Sequence, residues 1–437
     1  NFLWTLLLAG AARAGLDPVL AAKLLGAAAG VGTLAMVYLL ASRLRPLSVV
    51  PCLATWLLAS TTIFGGYSVF GLETSLFAFL LVLGSWLMLR EEDPTRAAHD
   101  SDDLEQLPWS GLVFATAALT RPEAPLYLGV WMLFLGGRPL IALGRKSNQA
   151  HTEEGQPFDP VRDHVVVLFC CLIAGCVALT VKLASPTAGR VITAAGALLV
   201  ACALVLAAAS LPRRMFRTRN LARITLFLGP VVLHVLWRHR YYGSWLPNTL
   251  AAKTGNLAQQ VAGGADYLTN YLGHEGPVIY LALFGVAAGL VWRSREALAL
   301  AAIVICASFY VLLVGGDWMP YFRFMAPIQP FLFVLLGLGV RAIIEGRSRV
   351  VNYGLLLMAM VVVGQRSHRL ASDVTQVAHQ ERRFWDMAAG GVVRWFQDRE
   401  DRRGRDDVVG AVALGDIGRV GYETDYPILD LLGLVDP

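Results

Sequence analysis

The sequence predicts a polytopic α-helical membrane protein with a small mixed α/β extramembrane domain at its C-terminal end, and three observations carry that expectation. Of its 437 residues, 56% are hydrophobic, and the mean hydropathy is +0.55. Only 16% are charged, against about 25% in soluble globular proteins. The charges are also unevenly placed, because positions 365–437 hold 23 of the 69. This composition excludes soluble enzyme folds, nucleic-acid-binding domains and disulfide-stapled secreted domains. The six cysteines (52, 170, 171, 176, 202 and 306) all lie in apolar runs with no C-x-x-C pair, so they read as small hydrophobes.

A helix needs roughly 20 mainly apolar residues to cross the hydrocarbon core. That ruler gives twelve candidate spans: 18–42, 47–63, 70–90, 104–120, 123–142, 164–183, 190–211, 221–237, 277–292, 297–315, 322–343 and 350–364. The apolar stretch Asn1–Ala14 is too short to span and lacks the basic region and cleavage site of a signal peptide. It reads as a juxtamembrane segment, and both ends of the chain are expected to be cut from a longer protein. The expected organisation is a segment at 1–17, a multi-span domain at 18–364 and an extramembrane domain at 365–437.

Lys/Arg bias in short loops sets orientation. One set of alternate loops carries 15 basic residues, among them Arg43, Arg90, Arg145, Arg213, Arg293 and Arg347. The other set, outside the tail, carries Arg121, Arg238, Arg240 and Lys253. The first set is therefore expected in the cytoplasm and the second outside, with the tail. In the tail, Ser372 and Asp373 can cap a helix whose apolar positions (Val374, Val377, Phe384, Trp385, Ala388, Val392, Trp395, Phe396) recur every three or four residues. After the breaker run 402–407, Val408–Leu414 reads as a strand. No internal repeat suggests paired transporter halves.

Charges near apolar spans are costly, about 2.5–3.5 kcal/mol each at a helix centre on insertion scales, so they point to function. Five clusters qualify. Glu73 opens the third span. Arg121-Pro122-Glu123-Ala124-Pro125 breaks two apolar runs, its prolines stopping one helix and starting the next. Tyr241, Tyr242, Trp245 and Asn248, then Lys253, occupy the longest outer loop. Gly316-Asp317-Trp318 is followed by Arg323, and Asp416 sits in the tail. Crossing order puts all five on the outer face. Arg and Lys suit phosphate, Glu and Asp suit sugar hydroxyls, a base role or a divalent cation, and Tyr and Trp suit sugar faces.

Each cluster also has a purely structural reading. The aromatic residues fit an interfacial belt, Glu73 fits a helix N-terminal acid, Arg121 and Glu123 fit an ion pair, Arg323 can snorkel, and Asp416 can serve a turn. Gly26 and Gly30 fit close helix packing. His234 and His239 lack zinc spacing and a third ligand, so no metal site is assigned.

In this order the motifs resemble the GT-C class of polyprenyl-phosphate-sugar-dependent membrane glycosyltransferases, and most of all its terminal β-(1→2)-arabinofuranosyltransferase branch. The residues that carry the resemblance are Asn1-Phe2-Leu3-Trp4, Gly71-Leu72-Glu73, Thr120-Arg121-Pro122-Glu123, Tyr242-Gly243, Leu246-Pro247-Asn248-Thr249, Ala252-Lys253, Gly315 to Met319, and Asp430 to Pro437. The resemblance implies a bacterial plasma-membrane enzyme of cell-wall biogenesis that works on the extracytoplasmic face. Its donor would be one sugar on a polyprenyl phosphate, its acceptor an envelope glycan or glycolipid, and its outcome inversion. It also implies a catalytic Asp preceding Asn1, so the catalytic residue is not named here. Arg121, Lys253 or Arg323 would neutralise the leaving phosphate, while Glu73, Glu123 and Asp317 would orient sugar hydroxyls or hold a cation. Two other readings share this topology: a ligase or polymerase of lipid-linked oligosaccharide, and a transporter or flippase of a polar lipid-linked substrate.

Overall fold

The computed structural model describes residues 1–44, 48–92, 107–135, 218–243, 245, 257–291, 294–317, 319–344, 349–403, 412–415, 418–424 and 426–431. The chain divides into two compact units, Asn1–His234 with Ala258–Ser367, and Val235–Leu257 with His368–Pro437.

The first unit is helical. Helix α1 (Phe2–Arg13) precedes α2 (Pro18–Leu44), whose start is fixed by Pro18 and by Asp17, whose carboxylate accepts from the Leu20 amide at 2.6 Å. Where one straight span was expected over 47–63, the structure has α3 (Val50–Ala59) and α4 (Thr62–Val69), bent by 64°. Thr61 causes the break, because its hydroxyl accepts from the Phe64 amide and so starts a new helix. Helix α5 (Thr74–Glu91) follows, then α6 (Trp109–Thr120) and α7 (Ala124–Leu135), separated by Arg121-Pro122-Glu123. Beyond come α8 (Thr218–Tyr242), which runs on into the second unit, α9 (Leu257–Val291), α10 (Arg295–Val314) and α11 (Gln329–Ile344).

Helix α10 is opened by the Ser294 hydroxyl on the Ala297 amide and closed by Gly315 at φ +93°. Helix α2 packs along α5 and α3, α6 along α5, α11 along α3, and α10 along α7. Leu40, Leu58, Phe77, Phe114, Trp131, Phe331 and Phe333 form a core that excludes solvent. Trp131 can be buried because its indole N–H donates to Ser85.

Among the described residues, four helices are long and apolar enough to cross a membrane: Pro18–Leu44, Thr74–Glu91, Arg219–Tyr242 and Glu296–Val314. The bent α3–α4 pair makes a fifth if it is one span. The expected spans 104–120, 123–142 and 322–343 appear as shorter apolar helices. Spans 164–183 and 190–211 lie outside the described residues.

Helix α12 (Arg349–Met387) differs from the expectation of a helix capped at Ser372 and Asp373. It runs unbroken through that point, and the Ser372 hydroxyl donates to the Arg369 carbonyl within the helix. A hydroxyl that bonds back into its own helix is not available as a cap.

In the second unit, α13 (Ala389–Arg403), β1 (Val412–Leu414), α14 (Gly418–Glu423) and β2 (Ile428–Asp430) follow α12. The two strands pair in parallel, Val412 opposite Ile428. Ala389, Val393 and Val420, with Trp385, Leu414 and Ile428 against them, make its small core.

Candidate functional site

Glu73 occupies the position just before α5, and its side chain is 2% exposed. Arg323, in the 3₁₀ turn Arg323–Met325, donates to Glu73 Oε1 at 2.6 Å. Arg121, which ends α6, is buried and places Nη1 3.7 Å from the same oxygen, while its Nε donates to Glu123 Oε1 at 2.6 Å. Arg323 Nη1 stands 3.5 Å from Asp317 Oδ2. Five sequence-selected residues from three chain regions thus form one network: Glu73, Arg121, Glu123, Asp317 and Arg323. Three carboxylates face two guanidinium groups in it. Burial alone raises the Glu73 pKa, but Arg323 and Arg121 outweigh it and hold the carboxyl below its ordinary range.

The segment that carries Asp317 and Arg323 is held in an uncommon backbone path. Gly315 and Gly316 have positive φ, and so do Tyr321 (+58°) and Phe322 (+51°), conformations that cost L-residues energy unless the surroundings impose them. Two tyrosines impose them. The Tyr67 hydroxyl donates to the Pro320 carbonyl, and the Phe324 amide donates to the Tyr267 hydroxyl at 3.1 Å. Arg121 also lies over the Phe324 and Phe77 rings, 5.1 and 5.6 Å from their centroids. Beside Glu123 a narrow cleft opens between α7 and α10, lined in part by Tyr127, Tyr310, Phe324 and Ile328.

The network is not saturated. Arg121 Nη1, Arg323 Nε and Asp317 Oδ2 are buried and make no hydrogen bond among the described residues. Other buried side-chain atoms among the described residues, Thr74 Oγ1 and Tyr271 Oη among them, share this state. The sequence offered Arg121 and Arg323 two readings, a cation for the leaving phosphate or a structural role, with Glu123 as the ion-pair partner of Arg121. The structure places both against carboxylates, as burial of the Arg121 cation requires.

Tyr241 and Tyr242 belong to the second unit. Both are exposed, and their rings contact Trp237 and each other. Asn248, Lys253, Trp318 and Asp416 lie outside the described residues. Among the described residues no group of three His, Cys, Asp or Glu side chains is placed to hold a metal ion.

Two buried polar groups went unread in the sequence. Glu275, fully buried, accepts from Arg366 at 2.6 Å and Gln329 at 3.4 Å, and Gln329 in turn accepts from Thr61. Arg223, 1% exposed, donates to Glu91, Glu92, Ser110 and Asn220 and joins α5, α6 and α8. The signal for the second was an arginine inside the apolar run 221–237, and for the first a Glu and an Arg just beyond the runs 277–292 and 350–364.

No family profile and no curated protein matches the chain. Among solved structures, the chain is similar to the Archaeoglobus fulgidus oligosaccharyltransferase in complex with Zn and sulfate, at 17% identity and a TM-score of 0.37 over 79% of this chain and 41% of that one. Its similarity to the apo form of the same protein has 16% identity and a TM-score of 0.42 over 82% and 45%. The chain spans less than half the length of these structures. Likeness at that level assigns neither a family nor an activity.

Proposed function

We propose that this chain is a membrane glycosyltransferase of the GT-C class. It moves a single sugar, with arabinofuranose as the first candidate, from a polyprenyl phosphate to an envelope glycan or glycolipid on the extracytoplasmic face. One observation carries the reading: Glu73 is pinned between Arg121 and Arg323 at helix ends, and polar atoms around it are left unfilled. The motif resemblance, the acidic and basic side chains gathered at one site, and the apolar helices that would take a prenyl chain support it.

The reaction is direct displacement at the anomeric carbon. The acceptor hydroxyl attacks C1 and gives its proton to a carboxylate, while the C1–O bond to phosphate breaks and polyprenyl phosphate leaves with the electron pair. The network receives the polar end of the donor. Its donors are fixed before substrate arrives, which is the condition for electrostatic catalysis.

The test uses the protein in nanodiscs with polyprenyl-phosphate sugars and crude envelope acceptor, followed by mass spectrometry of the lipids. Sugar-dependent release of polyprenyl monophosphate, lost in Asp317→Ala, is the expected result. Release of diphosphate lipid would move the assignment to an oligosaccharide ligase or polymerase, and passage of intact donor across a proteoliposome would move it to transport.

A further inference from the structure

Arg121, Arg223, Arg323, Arg366 and Arg419 each stand against a carboxylate. Arg238 and Arg240, in the last two turns of α8, do not: neither forms an ion pair among the described residues. We propose that the segment 237–245 of the second unit is a collar that binds the headgroups of anionic membrane lipids. Arg238 and Arg240 are its cations, and Trp237, Tyr241, Tyr242 and Trp245 form its aromatic wall. The collar uses no residue of the Glu73 network, so it holds whether or not the chain transfers sugar.

Position is the first argument. Leu228, Val232, Leu233 and Leu236, in the apolar run of α8, are exposed, as side chains that meet lipid are. The collar begins where that run ends. From Trp237 to Tyr242 the helix advances about 7.5 Å, which matches the roughly 5–8 Å of headgroup layer on each side of the hydrocarbon core. The rings there pack on one another. Trp237 and Tyr241 stack at 5.4 Å, Tyr241 and Tyr242 meet edge to face at 4.7 Å, and His239 lies on Trp245 at 3.8 Å. The four aromatic residues nevertheless stay between 44% and 69% exposed. Rings with an apolar body and a polar tip take such places at a membrane–water boundary.

Charge is the second argument. The sequence has no Asp or Glu from 164 to 265, while Arg238, Arg240 and Lys253 fall within 235–257. Arg238 lies over the Tyr242 ring, 5.9 Å from its centroid, and Arg240 is exposed. The carbonyl end of a helix repels an anion, so cations are what make this end of α8 acceptable to one. A neutral glycan would use the rings and leave both cations without counter-ions. An apolar partner helix would bury them unpaired, at high cost. An anionic lipid satisfies every part: its phosphodiester oxygens accept from guanidinium N–H groups, and its acyl chains lie along Leu236 and the rings.

Equilibrium binding of short-chain fluorescent phosphatidylglycerol and phosphatidylcholine to the full chain in neutral detergent tests this. The two lipids share a phosphate and differ in net charge. Wild-type protein is expected to bind phosphatidylglycerol roughly tenfold or more above phosphatidylcholine. Arg238→Gln and Arg240→Gln should each lower that affinity about fivefold, the effect of one Lys or Arg near an anionic surface, and Arg240→Lys should keep most of it. Raising ionic strength from about 0.1 M to about 1 M shortens the screening length from about 10 Å to about 3 Å. It should abolish most of the wild-type preference, a readout independent of any variant's folding.

Equal affinity for the two lipids overturns the collar, and so does a preference that salt and both glutamine variants leave intact. Decaprenyl phosphate that binds roughly tenfold above phosphatidylglycerol, and falls with the same variants, gives the segment to a donor's phosphate instead. A neutral arabinan oligosaccharide whose binding is lost in Tyr241→Ala and kept in the arginine variants gives it to a glycan. Each of these results removes the lipid collar and leaves the transferase reading to be judged on product release.

Discussion

Glu73 and Arg323 lie 250 positions apart in sequence and 2.6 Å apart in space. The contact ties the start of α5 to the segment between α10 and α11, with Arg121 as the second cation on the same oxygen. Removing one partner of a buried pair leaves the other uncompensated, so Glu73→Ala should destabilise by about 3–5 kcal/mol. Arg323→Ala in the same background should add much less than it costs alone, since the pair acts as a unit. Denaturant unfolding in detergent of the two single variants and the double variant measures this, and simple additivity would refute the coupling.

The same carboxylate sets a pH dependence. Its pKa is depressed in the folded state, so the stabilisation is fully present above the ordinary carboxylate range and is lost as pH falls through the depressed value. Acidification should therefore lower the thermal midpoint of wild-type protein more than that of Glu73→Gln. Parallel slopes for the two proteins would show that the pair does not contribute.

Gly316 has φ +78°, and a Cβ there would stand 2.7 Å from the Tyr267 ring. Gly316→Ala should cost on the order of 1–3 kcal/mol in backbone strain. Gly273, inside α9 with nothing within 4 Å of an added Cβ, is the control, because Ala there should stabilise by up to about 1 kcal/mol. Thermal midpoints moving in the same direction would contradict the prediction.

Tyr267→Phe removes the oxygen that accepts from the Phe324 amide. Leaving that N–H without a protein partner should cost about 1–3 kcal/mol and speed exchange of the Phe324 amide. Unchanged exchange would mean that another group holds the segment.

Arg223→Ala strands Glu91, which is 7% exposed in its side chain and bonded to Ser110 as well as Arg223. The expected loss is again about 3–5 kcal/mol, largely restored by Glu91→Gln in the same chain. Thermal unfolding of the single and double variants checks the restoration, and a double variant no more stable than the single would disprove the pairing.

Much of the network was legible because a lipid-compatible sequence carries few charges. Glu73, Arg121, Glu123, Asp317 and Arg323 stood out against apolar runs, and crossing order placed them at one end of their helices. The Arg121–Glu123 pair was one of the sequence readings, but the link to Glu73 was not legible, since nothing local to Glu73 says that Arg121 and Arg323 would share its charge. Arg223 was read as part of a span because one arginine scarcely lowers the hydropathy of 221–237. The bend at Thr61 was hidden for a similar reason: Ser60-Thr61-Thr62 interrupts an apolar window by only three small residues, but one hydroxyl suffices to restart a helix. The unbroken α12 defeated a capping rule, because Ser372 and Asp373 are as acceptable on an exposed helix surface as at its start.

The Arg223 bridge also has a history within each molecule's synthesis. Glu91 precedes its cation by 132 positions. At the usual rate of roughly 5–20 residues per second the acid exists for about 7–26 s before Arg223 has been made. During that interval α5 and α6 have no native counter-charge from α8 at this end, and an unpaired carboxylate resists entry into lipid. The α5–α6 hairpin therefore seats fully only when α8 arrives, and an early nascent chain cut off before residue 223 should be a better client for membrane quality control than one released a few residues after it.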